Sequence, residues 1–327
     1  MSVIQCSSEM TANLPSALGL PVKMSSGAIS NWLDHRLHLQ HGPIDLLITA
    51  EGSMEVVARA FAQAADSFEF VLNNLVDELT LLRTSASILM PTESVKANLL
   101  SPLKGAVAMR MCQAVKPYLG CYNGNNYVTP MAAVAGCVAD YILAEMGSGL
   151  DRVCVNNGGD IALYLGPGTH FDVGISDDRN VRFTDFSQAK KGEMIGKLPI
   201  NGRIRLHHLD KIGGIATSGW RGRSHSFGIA DSVTVLATDA ASADVAATLI
   251  SNEITVLSPM ILRKPANQIF PDSDLGDRLV TVKVGKLKPS EIDKALAHGA
   301  SLAKQMIFEG NIIAAYGRLQ GCDFFEL

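Results

Sequence analysis

This sequence has little charge, and little excess of either sign. Across 327 residues only 18% are charged, the formal net charge is −4, and the basic residues are scattered. The broad positive footprint of a duplex-binding protein is missing, so nucleic acid is not an expected partner. Cysteines are few and far apart. Cys6, Cys112, Cys121, Cys137, Cys154 and Cys322 contain no C-x-x-C pair, which removes zinc-ribbon and thioredoxin-like readings and predicts reduced thiols. Long apolar runs are absent too. The most apolar window, Met131 to Met146, falls short of the ~20 residues that cross a bilayer and holds Asp140 in its interior, so it reads as a buried helix and no membrane partner is expected. Before Ser30 no basic segment precedes an apolar stretch of signal-peptide type, so residues 1–30 read as a polar N-terminal extension and a cytoplasmic location is expected. The familiar catalytic signatures are missing as well. There is no G-x-S-x-G elbow, no H-E-x-x-H helix, no Walker loop and no G-x-G-x-x-G after a first strand.

What is present describes an ordinary folded interior. The chain is 47% hydrophobic and 6% aromatic, which excludes long disorder. Its length is about twice the ~150 residues of a typical domain, so residues 31–327 read as one large α+β domain that can contain two similar halves. Strands are predicted at Arg36 to Gln40 and Ile44 to Ala50 around His41-Gly42-Pro43. Apolar residues near a 3.6 spacing predict a helix over Met54 to Arg83 with a break near Ser67. Further helices are predicted at Gly105 to Tyr118 and Pro130 to Met146, the second capped by Thr129. Short strands follow between Arg152 and Ala237. Helices at Ala241 to Ser251 and Pro289 to Glu309, the latter starting near a Ser290 cap, flank a strand at Leu279 to Val284, and a strand at Ile312 to Ala315 ends the series. The order is strands, helices, strands, twice over, which argues for antiparallel sheet with helices on one face.

Three segments are candidates for chemistry. Asn157-Gly158-Gly159-Asp160 joins two apolar strands; it reads either as a plain hairpin turn or as a turn whose N–H groups and Asp160 carboxylate meet a ligand. The run from Gly213 to His225 holds Thr217, Ser218, Gly219, Arg221 and Arg223, and reads either as a surface loop or as a cradle for a diphosphate built of hydroxyls, backbone donors and guanidinium groups. On a helix, Asp244 and Thr248 share a face one turn apart; they are either an unremarkable pair or hard oxygen ligands suited to magnesium. His35, His38 and His41 alternate faces on a strand and would not converge on one ion, which leaves His225 as the histidine inside a convergent segment.

Taken in order, Thr129 to Gly136, Asn157 to Ile161, Ala216 to Gly219, and Ala243-Asp244 with Thr248 resemble the ApbE-like superfamily, with a family-like continuation at Ser273 to Arg278. The resemblance points to that superfamily's cytoplasmic, functionally unassigned branch. It implies a T-fold of duplicated strand pairs and helix pairs, a site for FAD, and magnesium-dependent movement of FMN. Thr129, Asn157, Gly158, Gly159, Asp160, Thr217, Ser218 and Gly219 inherit the expectation of lining the dinucleotide pocket. Asp244 and Thr248 inherit the magnesium site, together with a backbone carbonyl near Val134. Two departures stand out. The family's Ala-Lys-Gly is here Val134-Ala135-Gly136, without the lysine, and its His-x-x-Asp-Pro-x-Thr-Gly segment is cut down to His225 through Asp231.

Three functions remain open from the sequence. The first is Mg-dependent cleavage of FAD, with FMN passing to a protein hydroxyl or to water. Asp244 and Thr248 would then hold the ion, Arg221 or Arg223 would steady the phosphates and His225 would act as base. The second is an enzyme of another small anionic substrate, and the third is a non-catalytic flavin-binding protein. An acceptor protein and a homodimer complete the list of expected partners.

Overall fold

The computed structural model describes residues 3–7, 22–33, 36–90, 102–119, 127–176, 202–222 and 224–327. After the short strands β1 (Val3–Ser7), β2 (Val22–Lys23) and β3 (Ile29–Leu33), the predicted hairpin forms as β4 (Arg36–His41) and β5 (Ile44–Glu51). Helix α1 (Met54–Phe68) follows, with the Ser53 hydroxyl accepting the Val56 N–H at its start. It buries Val57, Ala60, Phe61, Ala64 and Phe68, the face that the 3.6 periodicity marks out. The long predicted helix stops there. Phe70 leaves helical geometry with φ −108° and ψ 4°, next to Glu69, whose carboxylate accepts from the Ser25 hydroxyl at 2.5 Å and the Ser26 N–H at 3.4 Å. Short helices α2 (Val71–Asp77), α3 (Leu79–Leu82) and α4 (Ala86–Leu89) complete the stretch, followed by α5 (Ala106–Val115).

A 3-10 turn at Pro130–Ala133 leads into α6 (Val134–Glu145). Thr129 stands at the head of this turn but does not cap it. Its hydroxyl donates to the Asp274 carboxylate at 2.6 Å. The strands β6 (Arg152–Asn157), β7 (Asp160–Leu165), β8 (His170–Ser176), β9 (Gly202–His207), β10 (Gly214–Ser218) and β11 (Ser232–Ala237) come next, in the stretch from Arg152 to Ala237 where short strands are predicted. The chain then runs through α7 (Ala240–Glu253), β12 (Ile261–Pro265), β13 (Leu279–Val284), α8 (Pro289–Phe308), β14 (Ala314–Leu319) and β15 (Cys322–Glu326). Helix α8 starts at Pro289 with Lys288 as its N-cap, ahead of the expected Ser290; the Glu291 carboxylate accepts the Lys288 N–H at 2.8 Å. Strands β12 and β15 carry no buried residue, so the apolar alternation that marks a strand in sequence is missing from them.

The architecture is α+β. Ten strands form one antiparallel sheet in the order β15-β14-β11-β10-β7-β6-β5-β4-β3-β2. Two similar meanders meet in its middle. In one, β4-β5-β6-β7 are neighbours in chain order with helices α1 to α6 inserted between β5 and β6. In the other, β10-β11-β14-β15 are neighbours with α7 and α8 inserted between β11 and β14. The seam is β7 against β10, paired only at Gly214↔Ala162 and Ile215↔Ile161.

Both faces of the central strands are covered. Val153, Val155, Ala162, Ala216, Val233 and Val235 face the helices, whereas Cys154, Ile161, Leu163, Ile215 and Leu236 face a second cluster with Phe171, Val173 and Leu206 from β8 and β9. That double cover is why β6 and β11 are buried at every position instead of at every second one. Strands β8 and β9 form a separate small sheet with β1, which lies within the segment read as an extension. Among the described residues no helix is long and apolar enough to cross a membrane.

Candidate functional site

Helices α6 and α7 meet at their N-terminal ends, and the contact is backbone on backbone. A Cβ placed on Gly136 would lie 2.3 Å from the Ala240 carbonyl oxygen, so a larger residue there would force the helices apart. Each helix then supplies an aspartate to the exposed N–H groups of the other. Asp140 on α6 accepts from Ala240 at 3.0 Å and Ala241 at 2.9 Å, while Asp244 on α7 accepts from Gly136 at 3.0 Å and also from Ala135. The first N–H groups of a helix have no partner within it, so a carboxylate from outside satisfies them and complements the positive end of the helix.

Over this junction the sheet seam opens into a cavity of about 580 Å³. The turn between β6 and β7 forms one edge. Gly158 and Gly159 adopt φ of 66° and 118°, left-handed values that make the tight turn, and the Gly159 N–H is taken by the Asn156 side chain at 2.9 Å. Asn157 donates to the Ala135 carbonyl at 3.1 Å and ties the turn to the start of α6. Asp160 accepts the Thr217 N–H at 3.2 Å, bridging the point where β7 and β10 part. The Thr217 hydroxyl lies 3.0 Å from that of Thr234. The glycine turn is thus a hairpin turn that also borders a cavity.

Of the residues singled out from sequence, Val134, Asn157, Gly158, Asp160, Thr217, Ser218, Gly219, Asp244 and Thr248 line this cavity. Segments more than 100 positions apart converge on it, from the starts of α6 and α7 and the ends of the two central hairpins. Other expected residues lie outside the lining. Thr129 is buried against Asp274, and the Gly159 N–H turns inward. Arg221 is exposed, stacks on Trp220 at 4.9 Å and pairs with Asp231 at 3.3 Å. The His225 ring packs on Phe270 at 5.3 Å, its Nε2 is buried without a partner among the described residues, and burial lowers its pKa against the opposing charge of Asp274. Arg223, and likewise His35, lie outside the described residues.

Electrostatics single out one end of the cavity. Asp244 is set deep in the protein, and burial together with the charge of Asp160 pushes its pKa well above the carboxylate range, against the pull of the Gly136 and Ala135 N–H groups. Two carboxylates held in one enclosed place favour a proton or a cation between them. With Thr248 one turn along α7 and the backbone of Val134 in the same lining, the donor set is hard oxygen and suits magnesium. Among the described residues no cluster of three or more His, Cys, Asp or Glu side chains is grouped to hold a metal, so a bound ion would complete its shell with water and ligand oxygens.

The opposite chemistry comes from the helical stretch after α1. Leu72, Leu75, Val76, Leu79 and Leu82 line the cavity with Pro43, Ile44, Met131 and Val138, and Arg83 and Asp231 join them. Sequence spacing reads those leucines as a core face. Part of that face borders a cavity instead, which periodicity does not distinguish.

A family model described as "AbpE bacteria" matches residues 30–323. Curated relatives are called UPF0280 proteins, names that state no activity. The one from Archaeoglobus fulgidus is 31% identical over 55% of this chain and 64% of its own length. That from Methanothrix thermoacetophila is 30% identical over 62% and 75%, and that from Methanopyrus kandleri 30% identical over 59% and 77%. Among solved structures, the ApbE protein of Thermotoga maritima aligns at 15% identity and a TM-score of 0.33, covering 78% of this chain and 94% of that one. With residues 30–323 matched by the family model, the chain belongs to the AbpE bacteria family, in keeping with its resemblance to ApbE-like proteins.

Proposed function

We propose that the cavity binds FAD together with magnesium, and that the chain cleaves the FAD diphosphate and passes FMN to a protein hydroxyl or to water. The observation that carries this reading is the half-buried pair Asp244 and Asp160 in one cavity with Thr217, Ser218, Gly219 and Thr248. An acidic end of this kind accepts an anionic diphosphate only with a cation between them. Asp244, Thr248 and the Val134 backbone would hold the ion, and magnesium there would neutralise charge developing on the phosphoryl group.

The remaining work falls to the chain. Asn157 and the β6–β7 turn fix the start of α6, Asp160 fixes the edge of β10, and the apolar wall takes a ring system out of water. In the transfer, a hydroxyl or water oxygen bonds to the FMN phosphorus, the bond from that phosphorus to the bridging oxygen breaks, and AMP leaves with the bridging oxygen. The proton of the attacking group goes to a cavity carboxylate. His225, the base expected from sequence, does not line the cavity.

The test is chromatography of FAD after incubation with the purified chain, with and without magnesium. FMN and AMP appearing together and vanishing with chelator is the expected result, and intact FAD under all conditions rejects cleavage. A second reading has a specific observation behind it. Ala135, where the family has lysine, leaves that edge of the cavity without a cation, which favours a different small anionic substrate. Unchanged thermal stability in the presence of FAD and magnesium would point there.

A further inference from the structure

We propose that Arg83 is a ligand-binding residue that grips a phosphate-type oxyanion directly, from the apolar wall of the cavity. The residue follows α3, and its backbone N–H is fixed by the Leu79 carbonyl at 2.9 Å. Its side chain is half-buried and lines the cavity, where the other charged residues of the described lining are Asp160, Asp231 and Asp244. Arg110, Arg152, Arg205 and Arg221 each have a carboxylate within 3.3 Å. Arg83 has none within ion-pair reach among the described residues, and it lines the cavity beside Leu72, Leu75, Leu79 and Leu82.

A guanidinium in such a place has five donors in a planar fork and few oxygens to meet them. A phosphate or carboxylate on the ligand supplies them in pairs. The leucines beside Arg83 make the matching ligand amphipathic. An apolar body lies along the leucines, and an oxyanion turns to Arg83. No motif in the sequence marks this residue, because the stretch after Ser67 reads only as apolar helix. The positive charge missing at Ala135 is thus supplied from a different element. The inference rests on the cavity being the ligand site, but not on the ligand being FAD.

The experiment compares the full chain with Arg83→Gln and Arg83→Lys by calorimetric titration of three probes in the presence of magnesium: FAD, riboflavin and inorganic pyrophosphate. Far-UV circular dichroism checks that each variant is folded. Loss of a charge-assisted pair predicts about 10-fold to 100-fold weaker FAD binding in Arg83→Gln, unchanged riboflavin binding and partial recovery in Arg83→Lys. Equal FAD binding by the chain and by Arg83→Gln overturns the role of Arg83 and leaves the flavin reading intact. No FAD binding, but pyrophosphate binding that falls in Arg83→Gln, upholds Arg83 and removes the flavin reading. Riboflavin binding that falls as far as FAD binding, or no binding of any probe, overturns the proposal.

Discussion

Asp140 and Asp244 hold matching positions in the two halves of the molecule, each on the long inner helix of its own half and each bound to the first N–H groups of the helix of the other. Their surroundings differ. The start of α7 has its own N-cap, Asp239, which accepts from Ser242 at 2.8 Å and pairs with Arg110 at 2.9 Å, so Asp140 adds to a helix end already served. The start of α6 follows a 3-10 turn, and its N-cap Ala133 offers no side chain, so Asp244 is its cap. Yet Asp244 is the one that lines the cavity, faces a second carboxylate and has its pKa driven well above the ordinary range. The same device is structural in one half and opens onto a site in the other. What separates the two is the sheet seam, which parts beside Asp160, where the cavity includes Asp244 but not Asp140.

The sharpest way to break this comparison is to neutralise each aspartate in turn. Asp244→Asn keeps an acceptor for Gly136 but loses the charge, and is expected to lower magnesium-dependent FAD cleavage on the order of 100-fold or more, whereas Asp140→Asn leaves it near the level of the unaltered chain. Equal losses would mean that both aspartates act only through the helix junction. Next in size is the junction itself. Gly136→Ala pushes a methyl into the Ala240 carbonyl and should cost about 1–3 kcal/mol in denaturant unfolding, and an unchanged midpoint would show that the helices give way freely.

A subtler difference is in pH. Burial pushes the Asp140 carboxyl above the ordinary carboxylate range, up to about 6, outweighing the two N–H groups of α7. A raised acid stabilises the fold while protonated, and that contribution is lost as pH rises from about 4 through about 6. Asp140→Asn removes the effect, so its melting temperature relative to the unaltered chain should be higher at pH 7 than at pH 4. Parallel melting curves would count against the burial of this carboxyl. The smallest effect belongs to the half-exposed partner Arg110. Arg110→Ala should cost less than about 1 kcal/mol in the same unfolding measurement, since Asp239 keeps its hydrogen bond to Ser242.

Much of the architecture is legible in the amino-acid order, because local rules carry it. The apolar face of α1 shows in the spacing of Val57, Phe61, Ala64 and Phe68, and the glycines at 158 and 159 mark the hairpin between two apolar strands. Boundaries fail where a distant group decides them. Ser25 and Ser26 hold Glu69 beside the break after α1, and Asp274 draws the Thr129 hydroxyl away from the cap that its position suggests. The site is legible in part for the same reason. Asn157, Asp160, Thr217 and Asp244 stand in recognisable blocks and reach the cavity, but His225 and Arg221 stand in an equally suggestive block and do not.

Fold class, the alternation of strand pairs and helices, and the four blocks that place the chain among ApbE-like proteins are written in residue order, because periodicity, turn residues and short motifs are local properties. Only the tertiary structure decided that Gly136 lets two helix ends touch, that each end is capped from the other half, and that Arg83 shares a cavity with Asp244. Those facts depend on which backbone atoms come within bonding distance across more than 100 residues of chain, and spacing along the sequence holds no record of such distances.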